Sequence, residues 1–178
     1  MKRWWGVKIS NCKKGFKEWN AVVEALGHGK QSILIRTYST TNKEFLLYPT
    51  FSYAIKDDYL DMFKANDQKF VEEHALPLRK NDQVEIKYFA RIEDIIEKSP
   101  SRIGSVDKLH IWSKDHVKDY LKNKRAFIWV LRVYKLKEPF FAERNNGMLF
   151  ANLKKGASIE DIEPVLRDKE FQSIISKL

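Results

Sequence analysis

The chain has 178 residues, 43% of them hydrophobic and 13% aromatic, with 33 lysines and arginines against 24 aspartates and glutamates, a net charge of +9. That length suits one domain, which buries roughly two thirds of the extended chain's surface on folding, and the apolar fraction excludes a disordered chain. One cysteine, Cys12, excludes an intrachain disulfide and a cysteine-built zinc site and fits a reducing compartment.

The opening "MKRWWGVKIS" is basic but has no apolar run of signal-peptide length, and no stretch is long enough to cross a membrane. A cytoplasmic protein is expected. Trp4 and Trp5 are adjacent, so at most one of them points inward. "FKEWNAVVEALGHG" comes next. Phe16, Trp19, Val22, Val23 and Leu26 recur at helical spacing, and Gly27 and Gly29 supply the backbone freedom that ends a helix. "QSILIRTY" and "EFLLYPTF" read as two strands, with "STTNK" as a hairpin loop between them. Pro49 donates no ladder hydrogen bond, so the second strand lies at an edge or ends there.

"DDYLDMFKANDQKFVEEHALP" carries a broken apolar stripe through Tyr59, Leu60, Phe63, Phe70, Val71 and His74, and predicts a helix stopped by Pro77. In "VEIKYFARIEDII", Val84, Ile86, Tyr88, Ala90 and Ile92 alternate with mostly polar neighbours, the period of a half-buried strand. A Pro- and Gly-containing loop, "EKSPSRIGS", follows. "LHIWSKDHVKDYLKNK" starts extended and becomes a helix with Ser113 as its N-cap. "RAFIWVLRVYKL" is nearly continuous apolar sequence, which predicts a central strand covered on both faces and ended by "EPFF". "GMLFANL" forms a last strand. "SIEDIEPVLRDKEFQSIISKL" closes the chain as one or two helices, with Ser158 and Asp161 placed as a capping box. No linker or repeat divides the sequence, so residues 1–178 read as a single domain, with a core over about 16–153 and a helical tail over 158–178.

Within this order the runs "EWNAVVEAL…G…ILIR" and "HIW…LRVYKL…P" resemble the prokaryotic family known as domain of unknown function 1802, over most of the chain between Lys17 and Leu153. Where that family has a lysine-glycine-glycine run after the arginine, this chain has Thr37, Tyr38 and Ser39. The family's name carries no assigned activity. It implies an association, in some architectures, with restriction-type nuclease domains, and hence a partner nuclease. The order of elements around "GKQSILIR" is also similar to the PUA-like group, which includes the ASCH and EVE domains. That likeness implies an α+β fold, a mostly antiparallel barrel-like sheet with peripheral helices. It also implies a cleft lined by Lys30 and Arg36 that binds RNA or reads a modified base in DNA.

The residues themselves support a ligand of that kind. Gly29 to Ser32 offer amides, a hydroxyl and an ammonium group to a phosphate or a base edge, with Gln31 beside them. Arg36 can fork to two acceptors. On one continuous strand Lys30, Ser32 and Arg36 would share a face. Tyr48, Tyr53, Trp112 and Tyr134 stand beside polar residues, where rings are placed to stack on a base in a PUA-like pocket. The positive excess favours a polyanionic partner.

Two kinds of chemistry stand as alternatives to binding. Glu85 and Lys87 match the second half of a restriction-nuclease magnesium motif, whose first half would be Asp57, Asp58 or Asp67. They also lie on the polar face of an alternating strand, where such residues belong anyway. The four histidines do not read as a metal site: His110 and His116 lie six apart, without a cysteine or a nearby carboxylate triad, so no metal or cofactor is expected. The reading is a nucleic-acid-binding module, for RNA or DNA, that takes a flipped or modified base and performs no chemistry itself. The alternatives are a magnesium-dependent nuclease using Glu85 and Lys87, and a protein-interaction accessory of a restriction or defence system.

Overall fold

The computed structural model describes residues 11–143 and 147–178; Trp4 and Trp5 lie outside the described residues. The architecture is α+β. Among the described residues eight strands form one mixed sheet: β1 (Asn11–Trp19), β2 (Ile33–Arg36), β3 (Glu44–Thr50), β4 (Arg79–Lys80), β5 (Gln83–Lys98), β6 (Ala126–Glu143), β7 (Phe150–Ser158) and β8 (Glu163–Pro164). Among the described residues four α-helices lie around them: α1 (Asn20–Gly27), α2 (Gln68–Glu73), α3 (Lys114–Leu121) and α4 (Asp168–Ile175). The main path runs β2-β6-β5-β3-β1-β7, with β4 on β5 and β8 on β6. Every pairing is antiparallel except β1 with β3.

The sheet curls but does not close. β2 and β1 are separated by three strands along the hydrogen-bonded path, yet Arg36 of β2 forms an ion pair with Glu18 of β1. Aromatic rings fill the space beneath that bridge. Phe16 lies 5.5 Å from Trp129 of β6 and 5.0 Å from Phe45 of β3, and Phe150 of β7 stacks 6.4 Å from Trp129. The expected barrel is thus an open one, whose seam is spanned by side chains rather than by backbone ladders. A second, smaller core holds Leu46, Tyr48, Ile86, Phe89, Leu136 and Phe140.

Several expectations from the sequence change here. Phe16 and Trp19 belong to β1, not to the first helix, which begins only at Asn20. Phe16 is held by partners on both sides, Leu47 of β3 and Phe150 of β7, and two ladders outweigh a helical apolar stripe. Gly27 does not end the helix through its own torsions: a Cβ there would overlap the Tyr88 ring, so its role is close approach. Gly29, with φ +72°, supplies the left-handed turn. β2 and β3 form no hairpin, because β2 pairs with β6 and β3 pairs with β1 and β5. Pro49 sits where the β3–β5 ladder, which stops at Leu46, has already ended, so only β1 pairs there.

The helix predicted over 57–77 is instead a series of 3₁₀ turns and the six-residue α2. Ser113 does cap α3, its Oγ accepting from the His116 amide at 3.2 Å. β6 is central, between β2 and β5, but "EPFF" does not end it. Ile86 pairs with Phe140 and Tyr88 with Lys135, so the residues between them loop out and the strand resumes to Glu143. The tail over 158–178 is only partly helical. Ser158 closes β7, and the cap falls at α4, where the Arg167 amide donates to Glu170 at 2.9 Å. Arg132 of β6 anchors that helix through Asp168 at 2.6 Å and the Phe171 ring at 4.6 Å.

Candidate nucleic-acid interface

The seam between β1 and β2 opens into a hollow of about 340 Å³. Its polar wall comes from the ends of two strands. Glu18 is buried because Phe16 and Glu18 alternate on the inward face of β1. Arg36 ends β2, whose four residues are all buried, so its guanidinium is carried inside with them. One guanidinium nitrogen donates to Glu18 Oε2, and another donates to the Ile35 carbonyl at 2.8 Å. The second carboxylate oxygen of Glu18 accepts from the Trp19 amide at 2.8 Å. Arg36 also lies over the Phe16 and Trp129 rings, at 5.5 and 6.0 Å. Burial works against its charge, but the Glu18 carboxylate together with Tyr120 and Tyr38 outweighs burial and raises its pKa above the ordinary value.

Half of the remaining lining is flat rings, joined by the aliphatic side chains of Ile35, Val117 and Leu149. Trp19 and Trp112 line one side, and α3 contributes His116 and Tyr120 on neighbouring turns. Trp19 is stacked on Tyr53 at 4.9 Å with 16° between planes, and lies 5.3 Å from His116. Burial pushes the His116 pKa below its ordinary value, partly opposed by Asp119. Tyr38 completes the wall. Burial raises its phenol pKa, partly offset by Arg36. Lys17 and Thr50 stand on the rim and also line a second hollow of about 510 Å³, which holds Tyr48, Phe51 and Arg79. There the Arg79 guanidinium covers the Phe51 ring at 4.6 Å.

The residues singled out in the sequence divide sharply. Arg36 and Trp112 line the first hollow and Tyr48 the second. Lys30 lines neither of these two. β2 begins at Ile33, so Lys30 precedes the pleated stretch that would have aligned it with Arg36. Its amide donates to the Ala25 carbonyl as α1 closes, and its ammonium pairs with Asp67 at 3.3 Å. Both cations of the expected pair are therefore held by internal carboxylates, and they do not jointly face one cleft. Gln31 is buried and braces the fold, donating to the Ile33 carbonyl at 2.8 Å and accepting from the Ile111 amide at 3.1 Å. Ser32 is buried, its carbonyl accepting from Leu131 at 2.8 Å. Tyr53 is buried behind Trp19, and its hydroxyl donates to Ala75 at 2.9 Å. Tyr134 packs on the smaller core, 5.8 Å from Phe89.

Glu18, Trp19, Tyr38, His116 and Tyr120 went unrecognised in the sequence. The signal for Glu18 was the alternation with Phe16, masked by the helical spacing of the same segment. For the nuclease alternative, Lys87 is engaged with Glu24, and among the described residues Glu85 joins no group of three metal-ligating side chains.

Residues 15–177 match the model of the family described as domain of unknown function (DUF1802). Among solved structures, the crystal structure of ASCH from Zymomonas mobilis is similar at a TM-score of 0.47 and 16% identity, covering 92% of this chain and 93% of that one. A tyrosine-to-phenylalanine mutant of the same protein gives 0.47 and 14%, covering 92% and 96%. No curated protein matches the chain. Among the described residues no helix is long and apolar enough to cross a membrane.

Proposed function

We propose that this chain, which belongs to the DUF1802 family, is a nucleic-acid-binding module that takes a single unstacked base into the seam between β1 and β2. The observation that carries the reading is the pairing of Arg36 and Glu18 inside a ring-walled hollow of about 340 Å³. A planar base needs flat apolar walls for its faces and a few fixed donors and acceptors for its edge. Trp19, Trp112, Tyr38 and Tyr120 supply the first, and the guanidinium and carboxylate supply the second. The backbone of the ligand then lies outside, where the net charge of +9 and the rim lysine Lys17 favour phosphate. The second hollow, with Arg79 over Phe51, suits the neighbouring nucleotide. Binding, and not catalysis, is the function this arrangement supports.

Fluorescence anisotropy with labelled single-stranded and duplex RNA and DNA, across a salt series, tests the proposal. Affinity is expected to fall linearly with the logarithm of salt concentration. Tyr120→Ala, at an exposed wall position, is expected to weaken binding about tenfold, and Arg36→Lys to weaken it while keeping the charge. Lys30→Ala removes a cation outside the hollow and should change little. A flat salt response, or unchanged affinity in both hollow variants with folding verified by circular dichroism, would overturn the proposal.

A further inference from the structure

On another part of the molecule two histidines from different helices meet beside a buried glutamate. His28 is the residue that closes α1 and His74 the one that closes α2. Glu24, one turn before His28, is 4% exposed. A ligand atom from each of the three lies within 4.8 Å of the other two. The two imidazoles are 5.3 Å apart, centre to centre.

The tautomer of each ring follows from its neighbours. His28 Nδ1 contacts the Glu24 carbonyl at 2.7 Å, and His74 Nδ1 contacts the Phe70 carbonyl at 2.8 Å. A carbonyl only accepts, so each Nδ1 carries the hydrogen and each neutral ring keeps its lone pair on Nε2. A metal-binding histidine is oriented in the same way, by an N–H donated to a carbonyl. The carboxylate has one oxygen on the Lys87 ammonium. The other lies 3.5 Å from His28 Nδ1 and accepts from the Tyr88 hydroxyl at 3.3 Å. His28 is half exposed, which leaves an ion a way in.

We infer that Glu24, His28 and His74 form a site for a divalent transition ion of the zinc type. Two imidazoles and one carboxylate suit Zn²⁺, Co²⁺ or Ni²⁺, whereas Mg²⁺ and Ca²⁺ prefer all-oxygen sets. Three protein ligands leave the fourth tetrahedral position to solvent. Closing the set around an ion requires the side chains to move, since atoms bonded to zinc at about 2.1 Å stand closer together than 4.8 Å, and the imidazoles must turn Nε2 toward Glu24. The ion competes with the Lys87 ammonium for Glu24. That rivalry is the property a purely structural cluster would lack.

Titration of the full chain with Co²⁺ alone, followed by visible absorption and by displacement with Zn²⁺, tests the site. One equivalent is expected to bind with the strong absorption of a tetrahedral centre. His28→Ala and His74→Ala should each weaken it at least tenfold, and His116→Ala should leave it unchanged. Lys87→Met, which removes the competing cation, should tighten binding and should show a larger rise in Tm on adding Zn²⁺ than the native chain. Absence of stoichiometric binding would overturn the inference. So would affinity insensitive to both histidine variants, or a Lys87→Met chain that binds no more tightly.

Discussion

Two buried glutamates, Glu18 and Glu24, stand six residues apart and are balanced in different ways. Glu18 faces an arginine that is itself buried, and the pair spans the sheet's open seam. Glu24 faces Lys87, whose side chain is 31% exposed, together with Tyr88 and His28. The guanidinium is a rigid fork held on one side by a carbonyl and on another by aromatic faces. The ammonium is a point charge on a flexible stem that can return to water. The first arrangement makes a fixed wall. The second makes a carboxylate whose partner can be exchanged. The lesson is that burial of a carboxylate alone does not predict its role; the freedom of the cation opposite it does.

Removing each carboxylate charge in turn breaks that comparison most directly. Glu18→Gln leaves Arg36 buried without its counter-ion and should cost about 3–5 kcal/mol in urea unfolding. Glu24→Gln should cost less, about 2 kcal/mol, because Lys87 can turn outward. Equal losses would mean that the two cations are held alike. A buried group set against a nearby ammonium sharpens the contrast. His110 is 5% exposed, and among the described residues its Nδ1 has no hydrogen-bond partner. Burial, with help from Lys64, pulls its pKa from 6.5 down to about 4. The unfolded chain therefore takes up the proton first as pH falls. His110 contributes nothing unfavourable above pH 6.5, and stability is lost progressively between 6.5 and about 4. Between pH 7 and pH 5 the native chain should lose about 1–2 kcal/mol more than His110→Asn, read from urea midpoints at the two pH values. The smallest effect is expected at the exposed pair of Arg91 and Glu44, 2.9 Å apart on neighbouring strands. Arg91→Ala should change stability by less than about 1 kcal/mol, and the change should shrink further in salt.

Much of the sheet was legible from the sequence. The alternation through Val84 to Ile92 and the apolar run from Ala126 announce β5 and β6 because those strands read the same whatever lies beside them. Ser113 announced α3 through its own hydroxyl. What could not be read was set by distant partners. Phe16 and Trp19 have helical spacing with Val22 and Val23, and only β3 and β7 decide that they are extended. The hairpin between β2 and β3 was suggested by a polar loop of suitable length, yet β6 is the partner β2 finds. The site suffered the same limit. Arg36 and Trp112 were visible as residue types, but Lys30 joined them only on the assumption of a continuous strand from Lys30 to Arg36. Glu24 and His28, four apart on one helix, were a local signal; His74 comes from another helix and no local pattern links it to them.

The parallel partnership of β1 with β3, and its antiparallel partnership with β7, has a consequence for how the chain is made. β1 acquires its first neighbour after about thirty residues of synthesis and its second only when residues 150–158 emerge. Until then one side of a strand lined by Gly15 and Phe16 is open to any extended segment in the vicinity. Slow assembly and a window for mispairing follow from that single placement.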